Sequence, residues 1–295
     1  MKSITVRAHA KINLNLKLLG QGPDDYRLLE TAVQSISLWD TLQIETAAEG
    51  IALCVDDPRV PADASNLIWR AAARLPPPRA APPGLRLRLC KRIPAGAGLG
   101  GGSSDAAATL LGLSRLWGLG LSAEELAPIA AELGVDVPYF LVGGTALLTG
   151  RGTEVHPLPD LLGYRLLVVF PGTPLSTREV YAQVRAPLTG PGETGSMSAS
   201  GRIPTGAVEG WVQLGNDLEP YAERLCPAIG DIKDRLRRSG ATAVAMTGSG
   251  SAAFGVFRDG RPLERAAQAM RASGWLAWCC EPIGGAEYRR GVFLG

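Results

Sequence analysis

From Ile93 to Ala108 the sequence reads IPAGAGLGGGSSDAAA, with Gly96, Gly98, Gly100, Gly101 and Gly102 filling five of seven positions. With no side chains there, successive backbone N–H groups can turn toward one anion, and Ser103 and Ser104 add hydroxyl donors. A helix opening directly from such a loop contributes the positive end of its dipole, so the stretch is built to cradle a phosphate. It departs from the common nucleotide loop GxxxxGK[ST], because Gly102 stands where the lysine before the serine would be. It also lacks the βαβ frame of a dinucleotide fingerprint. A flexible surface loop capped by Ser103 is the alternative, and glycines feeding straight into an Ala- and Leu-rich helix weigh against it.

Three other places hold groups capable of chemistry. Lys11 shares the polar parity of the opening segment with Asn13, and it is one of only five lysines beside 25 arginines. A compact ammonium where a guanidinium would not fit is one reading; taken alone, a solvated strand lysine is the simpler one. Asp136 sits in ELGVDVPYFL between Val135 and Val137, an apolar setting in which a carboxylate needs a partner. Just before Pro138, it serves as a helix cap as readily as a catalytic group. MTGSGSAAFG, residues 246–255, is a second glycine–serine turn that by itself reads as a tight hairpin. Other chemistries lack material. His9 and His156 are the only histidines, too few for a histidine-built zinc site or a Ser-His triad. The five cysteines (Cys54, Cys90, Cys226, Cys279, Cys280) are scattered without a C-x-x-C pair, which fits a reducing cytoplasmic compartment.

The elements that must hold these groups follow from periodicity. ITVRAHAKINLNLKLLG alternates apolar and polar residues, predicting a strand with one face on a core and the other polar. SISLWDTLQIE and LRLRLC read as further strands, with the helix NLIWRAAARL and a proline-rich connector between them. After the glycine-rich turn comes the helix SDAAATLLGLSRLWGL. Ser122 and Glu125 then form a capping-box spacing for AEELAPIAAEL, closed by Gly134. TALLTGRGTEV reads as a strand and YRLLVVFPG as a buried one. Ser176 and Glu179 open a helix through Tyr181, and residues 186–206 read as a loop poor in large apolar groups. Two helices, a strand pair around the late glycine turn, a helix and the strand WLAWCCEPI complete the chain; Trp275, Trp278, Cys279 and Cys280 read as packing there. A second unit begins after a boundary between about Glu154 and Tyr164, and its order of strand, helices, two strands, helix and strand predicts an antiparallel sheet with helices on one face, an α+β architecture.

Composition sets the frame. A chain of 295 residues, 46% hydrophobic and 20% charged, suits two globular domains or one large one. The 30 Lys+Arg and 28 Asp+Glu leave +2 with no dense basic stretch, which argues against nucleic acid as a partner. No stretch approaches the ~20 apolar residues of a membrane span. Lys2, Arg7, Lys11 and Lys17 interrupt the opening segment, so it reads as neither span nor signal peptide. Oligomeric state is not encoded legibly.

In that order, AKINLNL, DASNLIWRAA, IPAGAGLGGGSSDAAA, LGVDVPYFL and MTGSGSAAFG resemble the GHMP kinases, and the resemblance covers essentially the whole chain. It implies an α+β fold of two domains. Residues 1–158 would form a ribosomal-protein-S5 domain-2-like unit, residues 159–295 a ferredoxin-like one, with the active site in the cleft between them. It implies phosphoryl transfer from ATP, with Mg²⁺, to an alcohol. The nearest branch acts on a cytidine diphosphate derivative of the non-mevalonate isoprenoid pathway, homoserine, mevalonate or a sugar being the alternative acceptors. By the same resemblance Lys11 and Asp136 would be catalytic, and Asn66 with Leu67 would border the adenine. Pro94, Ala95, Gly96, Ala97, Gly98, Leu99, Gly100, Gly101, Gly102, Ser103 and Ser104 would hold the ATP phosphates, with Ser104 a ligand of the Mg²⁺. Asn13, Gly248, Ser249 and Gly250 would face the acceptor, and Tyr26 and Tyr181 fall where the family places ring-stacking aromatics. The family shows Gly-Tyr-His where this chain has Asp25-Tyr26-Arg27. Arg27 would replace a histidine that grips the cytosine, as a group able to stack and donate hydrogen bonds.

Overall fold

The computed structural model describes residues 2–21, 27–79, 81–184 and 214–294. The alternating opening segment forms two strands, β1 (Ser3–Asn13) and β2 (Asn15–Gln21), parted at Leu14. Both pair antiparallel with the long β3 (Arg27–Ala47). β4 (Ile51–Val55), α1 (Leu67–Arg74), β5 (Gly84–Cys90), α2 (Gly101–Leu116), α3 (Ala123–Leu133) and α4 (Val137–Val142) follow. The predicted single strand TALLTGRGTEV is a hairpin, β6 (Thr145–Thr149) and β7 (Glu154–Pro157), because the Gly150–Gly152 turn reverses the chain. Then come β8 (Arg165–Phe170), α5 (Thr177–Ala182), β9 (Gly215–Asn216), α6 (Glu219–Leu225), α7 (Ala228–Arg238), β10 (Ala243–Met246) and β11 (Ala253–Phe257). α8 (Gly260–Ala272), β12 (Leu276–Cys280), α9 (Gly285–Gly291) and β13 (Phe293–Leu294) end the described chain.

The strands form two sheets. The first runs β13-β1-β3-β2-β9, with β5 and β6 also on β3, and it is mixed: β4 lies parallel to β5, and β9 parallel to β2. The second, β10-β11-β8-β12, is antiparallel throughout. Its chain order, strand, helices, two strands, helix, strand, with β8 central, is the ferredoxin-like arrangement. α7 and α8 cover one face through Ile232, Leu236, Leu263, Ala266 and Met270. The opposite face, Leu166, Val168 and Phe254, packs on Ala10, Ile12 and Ile36 of the first sheet, so both faces of β8 are buried. α2 is apolar nearly all round because it lies between the first sheet and the other helices. The closing segment returns to the first sheet: Phe293 pairs with Val6, and the Tyr288 hydroxyl donates to the Phe140 carbonyl at 2.7 Å.

The polar face expected for β1 is not solvated; His9, Lys11 and Asn13 are 3–4% exposed. Register slips between His9 and Lys11, and the parity facing α2 changes with it. Val6 and Ala8 share a core with α2, whereas Ala10 and Ile12 join the core between the sheets. Beyond the slip, Lys11 and Asn13, paired with Ser35 and Val33, take over the α2 side. Such irregularities re-aim side chains beside sites.

Candidate active site

The site grows from the start of α2. Gly100 holds the N-cap position with φ 71°, in the left-handed region that only glycine enters cheaply. A Cβ there would stand 2.7 Å from the Phe140 ring and 3.2 Å from Lys11 Cε, so no other residue fits. No side chain caps α2, which leaves the N–H groups of its first turn directed into the opening. Ser103 lies within the helix and is not its cap. The preceding loop presses against the late glycine turn: a Cβ on Gly98 (φ 77°) would meet the Thr247 carbonyl oxygen at 2.2 Å.

Lys11 and Asp136 meet beside this helix end, with Nζ 3.6 Å from Oδ2. The lysine is buried, not a solvated strand residue, and donates to Asn13 Oδ1 at 2.6 Å. Asp136 occupies the N-cap position of α4, yet its side chain makes no capping hydrogen bond. The ion pair, not the cap, is where that carboxylate is engaged. One-third exposure leaves it open to the cleft.

A cavity of about 460 Å³ opens over these groups. Of the residues singled out in the sequence, Lys11, Asn13, Asn66, Leu67, Pro94 to Ser103, Asp136, Tyr181, Gly248 and Ser249 line it. Asn66 also caps α1, its Oδ1 accepting from Ile68 N at 2.9 Å. Tyr181 lines the cavity and is half-buried. Burial pushes its phenol up to about 12, Asp136 adding to that shift and Arg27 opposing it. Three expectations move. Ser104 is 1% exposed, its hydroxyl donating to the His9 carbonyl at 2.7 Å, because it falls on the sheet-facing side of α2; it is no metal ligand in this arrangement. Gly250 does not line the cavity and serves the turn itself, its N–H bonded to Thr247 O at 3.0 Å. Arg27 donates to the Val184 carbonyl at 2.8 Å, just past α5, instead of lining the cavity. Tyr26 and the loop 186–206 lie outside the described residues.

Behind the glycine loop lies a cluster that no motif announced, of which Lys91 and Asp105 reach the cavity wall. Asp40, fully buried, accepts from Ile93 N at 2.8 Å and from Arg92 N. Lys91 bridges Asp40 and Asp105, the latter at 3.0 Å. Burial pushes the Asp105 carboxyl up to about 7 against the pull of Lys91, with Asp40 adding to the rise. Burial works against the Lys91 ammonium, yet the two carboxylates hold its pKa above the ordinary value. Together they pin the entry of the glycine loop to its exit. Lys91 directly before the loop was the available signal; nothing in the spacing of 40, 91 and 105 joins the three.

The profile described as GHMP kinases N terminal domain matches residues 66–144, and that described as GHMP kinases C terminal matches residues 204–274. The 4-diphosphocytidyl-2-C-methyl-D-erythritol kinase of Moorella thermoacetica is 43% identical over 276 residues, covering 92% of this chain and 96% of that protein. The protein of the same name from Pelobacter propionicus is 36% identical, covering 96% of this chain and all of its own. A crystal structure of 4-(cytidine 5′-diphospho)-2C-methyl-D-erythritol kinase superposes with a TM-score of 0.78 at 37% identity, covering 95% of this chain and 100% of that one. A homoserine kinase from Cytophaga hutchinsonii, at 19% identity and TM-score 0.68, shares the fold.

Proposed function

The chain belongs to the GHMP kinase family, and from that premise we propose that it moves the γ-phosphoryl group of ATP onto the 2-hydroxyl of 4-diphosphocytidyl-2-C-methyl-D-erythritol, a step of non-mevalonate isoprenoid synthesis. The observation that carries the residue roles is the Lys11–Asp136 pair beside the uncapped start of α2. A tertiary alcohol is a weak nucleophile at neutral pH. Asp136 accepts its proton as the new oxygen–phosphorus bond forms; the bond to the β,γ-bridging oxygen breaks, and ADP leaves. Lys11 stands beside that carboxylate and offsets charge on the transferring oxygens, while the first-turn N–H groups and dipole of α2 hold the phosphates. Asn66 and Leu67 border the adenine, Gly248 and Ser249 face the acceptor, and Tyr181 stacks on its cytosine. Residues up to about 158 carry the nucleotide in this reading, and the later ones shape the acceptor side.

Among the described residues no group of three or more His, Cys, Asp or Glu could hold a metal ion. That donor set suits a Mg²⁺ carried mainly by ATP phosphates and water. The Ser103 hydroxyl is the protein oxygen on the cavity wall beside the loop that would complete its shell. Bound there, the ion would supply charge neutralisation on the phosphate oxygens. Free cysteines throughout the described chain support a cytoplasmic setting, and no described helix is long and apolar enough to cross a membrane.

ADP release measured with the cytidine acceptor, homoserine and mevalonate tests the proposal. Release only with the cytidine compound is expected. Release with homoserine or mevalonate alone would move the acceptor, and release with none would sink the kinase reading.

A further inference from the structure

Thr247 opens the turn between β10 and β11, is fully buried, and has no role in the mechanism above. Its hydroxyl oxygen accepts the backbone N–H of Asn13 at 3.0 Å and donates to the Gly98 carbonyl at 3.2 Å. Asn13 in turn receives the Lys11 ammonium on Oδ1 at 2.6 Å and gives its own amide to Thr31 Oγ1 at 2.8 Å. The Thr31 hydroxyl is then taken up by the Asn15 carbonyl. One hydroxyl of the second sheet's turn therefore ties the glycine loop to the strand end that presents Lys11. Around it the backbones are in contact: a Cβ on Gly248 would lie 2.8 Å from Gly98 O, and Ala252 N donates to Ala97 O at 3.1 Å.

We propose that Thr247 is a positioning residue for phosphoryl transfer: it fixes Asn13, and through Asn13 the Lys11 ammonium, against the phosphate loop. The inference rests on the reading of Lys11 and Asp136 given above. At 3.6 Å the ammonium stands off from Asp136 while Asn13 holds it more closely. Without the Thr247 hydroxyl, two buried groups, Asn13 N–H and Gly98 C=O, lose their partner. Asn13 then shifts, and the released ammonium closes onto Asp136, occupying the carboxylate that must take the acceptor's proton. The ground-state contacts to ATP and to cytosine stay as they were.

The test compares Thr247→Val with Thr247→Ser in the full chain. The valine variant is expected to lose at least about tenfold in kcat with both KM values within about threefold, since small misplacements of reacting groups cost this much. The serine variant, which restores the hydroxyl, is expected within about threefold of wild type in kcat. Wild-type kcat in the valine variant overturns the proposal. So does equal loss in both variants with raised KM values, the mark of general loosening. Should the valine variant fail to fold, Thr247→Cys, similar in shape but a poor acceptor, is expected to show the same kcat loss, and full kcat there overturns the proposal. Asp136→Asn and Lys11→Met run alongside. If they lose turnover while Thr247→Val does not, this inference alone fails; if they keep it, the catalytic pair itself is wrong and the inference falls with it.

Discussion

Lys11 and Asp136 stand 3.6 Å apart although 125 positions separate them in the chain, and only the lysine is sealed from solvent. The asymmetry sorts their duties. The lysine reaches the site from the end of β1, beyond a register slip, and is gripped by Asn13. The aspartate begins α4 and opens on the cavity, where an acceptor hydroxyl can reach it.

In the proposed mechanism, Asp136→Asn removes the proton acceptor and leaves the start of α2 untouched. A fall in kcat of roughly 10²- to 10⁴-fold is expected, with KM for ATP within about twofold of wild type. Steady-state kinetics with both substrates varied would check it, and an unchanged kcat would contradict the role.

Gly98→Ala tests the contact between the two glycine turns. The added methyl would fall 2.2 Å from Thr247 O at a φ of 77°. The left-handed backbone alone costs about 1–2 kcal/mol, and relieving the contact costs more. Thermal unfolding is expected several degrees below wild type, together with a raised KM for ATP; wild-type values of both would show that the two turns are free to part.

Tyr181→Leu is expected to raise KM for the cytidine acceptor by about tenfold, stacking and area burial being lost, whereas Tyr181→Phe keeps the ring and the affinity. Arg27→Ala acts indirectly. It removes the donor to Val184 O just beyond the helix that carries Tyr181, so a smaller increase in the same KM is expected, with ATP unaffected. Acceptor titrations on the three variants separate the two effects, and equal KM values throughout would place the cytosine elsewhere.

Burial lowers the His9 imidazole to about 4 from its ordinary 6.5, the Ile36 carbonyl opposing that shift and Arg7 adding to it. The unfolded chain thus binds more protons between these values, so stability rises with pH across that window and is lost as pH falls through it. The contribution is about 3 kcal/mol. Asp105 runs the other way: its carboxyl is raised from 3.8 to about 7, so its contribution declines as pH rises over that range. The difference between wild type and His9→Gln isolates the histidine. Melting temperatures from pH 4 to 7 are expected to drop more steeply toward acid in wild type, and parallel curves would exclude a buried neutral imidazole.

Local chemistry was legible and distant pairing was not. The Ser122–Glu125 capping box, the helix after the glycine loop and the buried β8 were all readable, because caps, turns and periodicity act within a few residues. The alternation through Lys11 was readable as a strand, but its burial was not. The register slip that turns Lys11 toward α2 is fixed by pairing with Ser35, not by neighbours in sequence. Ser104 was misplaced for a related reason: only the packing of α2 on β1 decides which of two adjacent serines meets the His9 carbonyl. Asp40, Lys91 and Asp105 share one ion-pair cluster that no spacing rule connects.

Domains usually settle in the order in which they are synthesised, the leading part before the trailing part emerges. The return of α9 and β13 to the first sheet reverses that order here. Tyr288 braces α4 through the Phe140 carbonyl, and Val292 O accepts the N–H of Arg7 at 2.7 Å, four residues before Lys11. The early-made half of the molecule is therefore braced by residues made well after it, and a growing chain steadies the strand that presents Lys11 only once α9 and β13 have emerged.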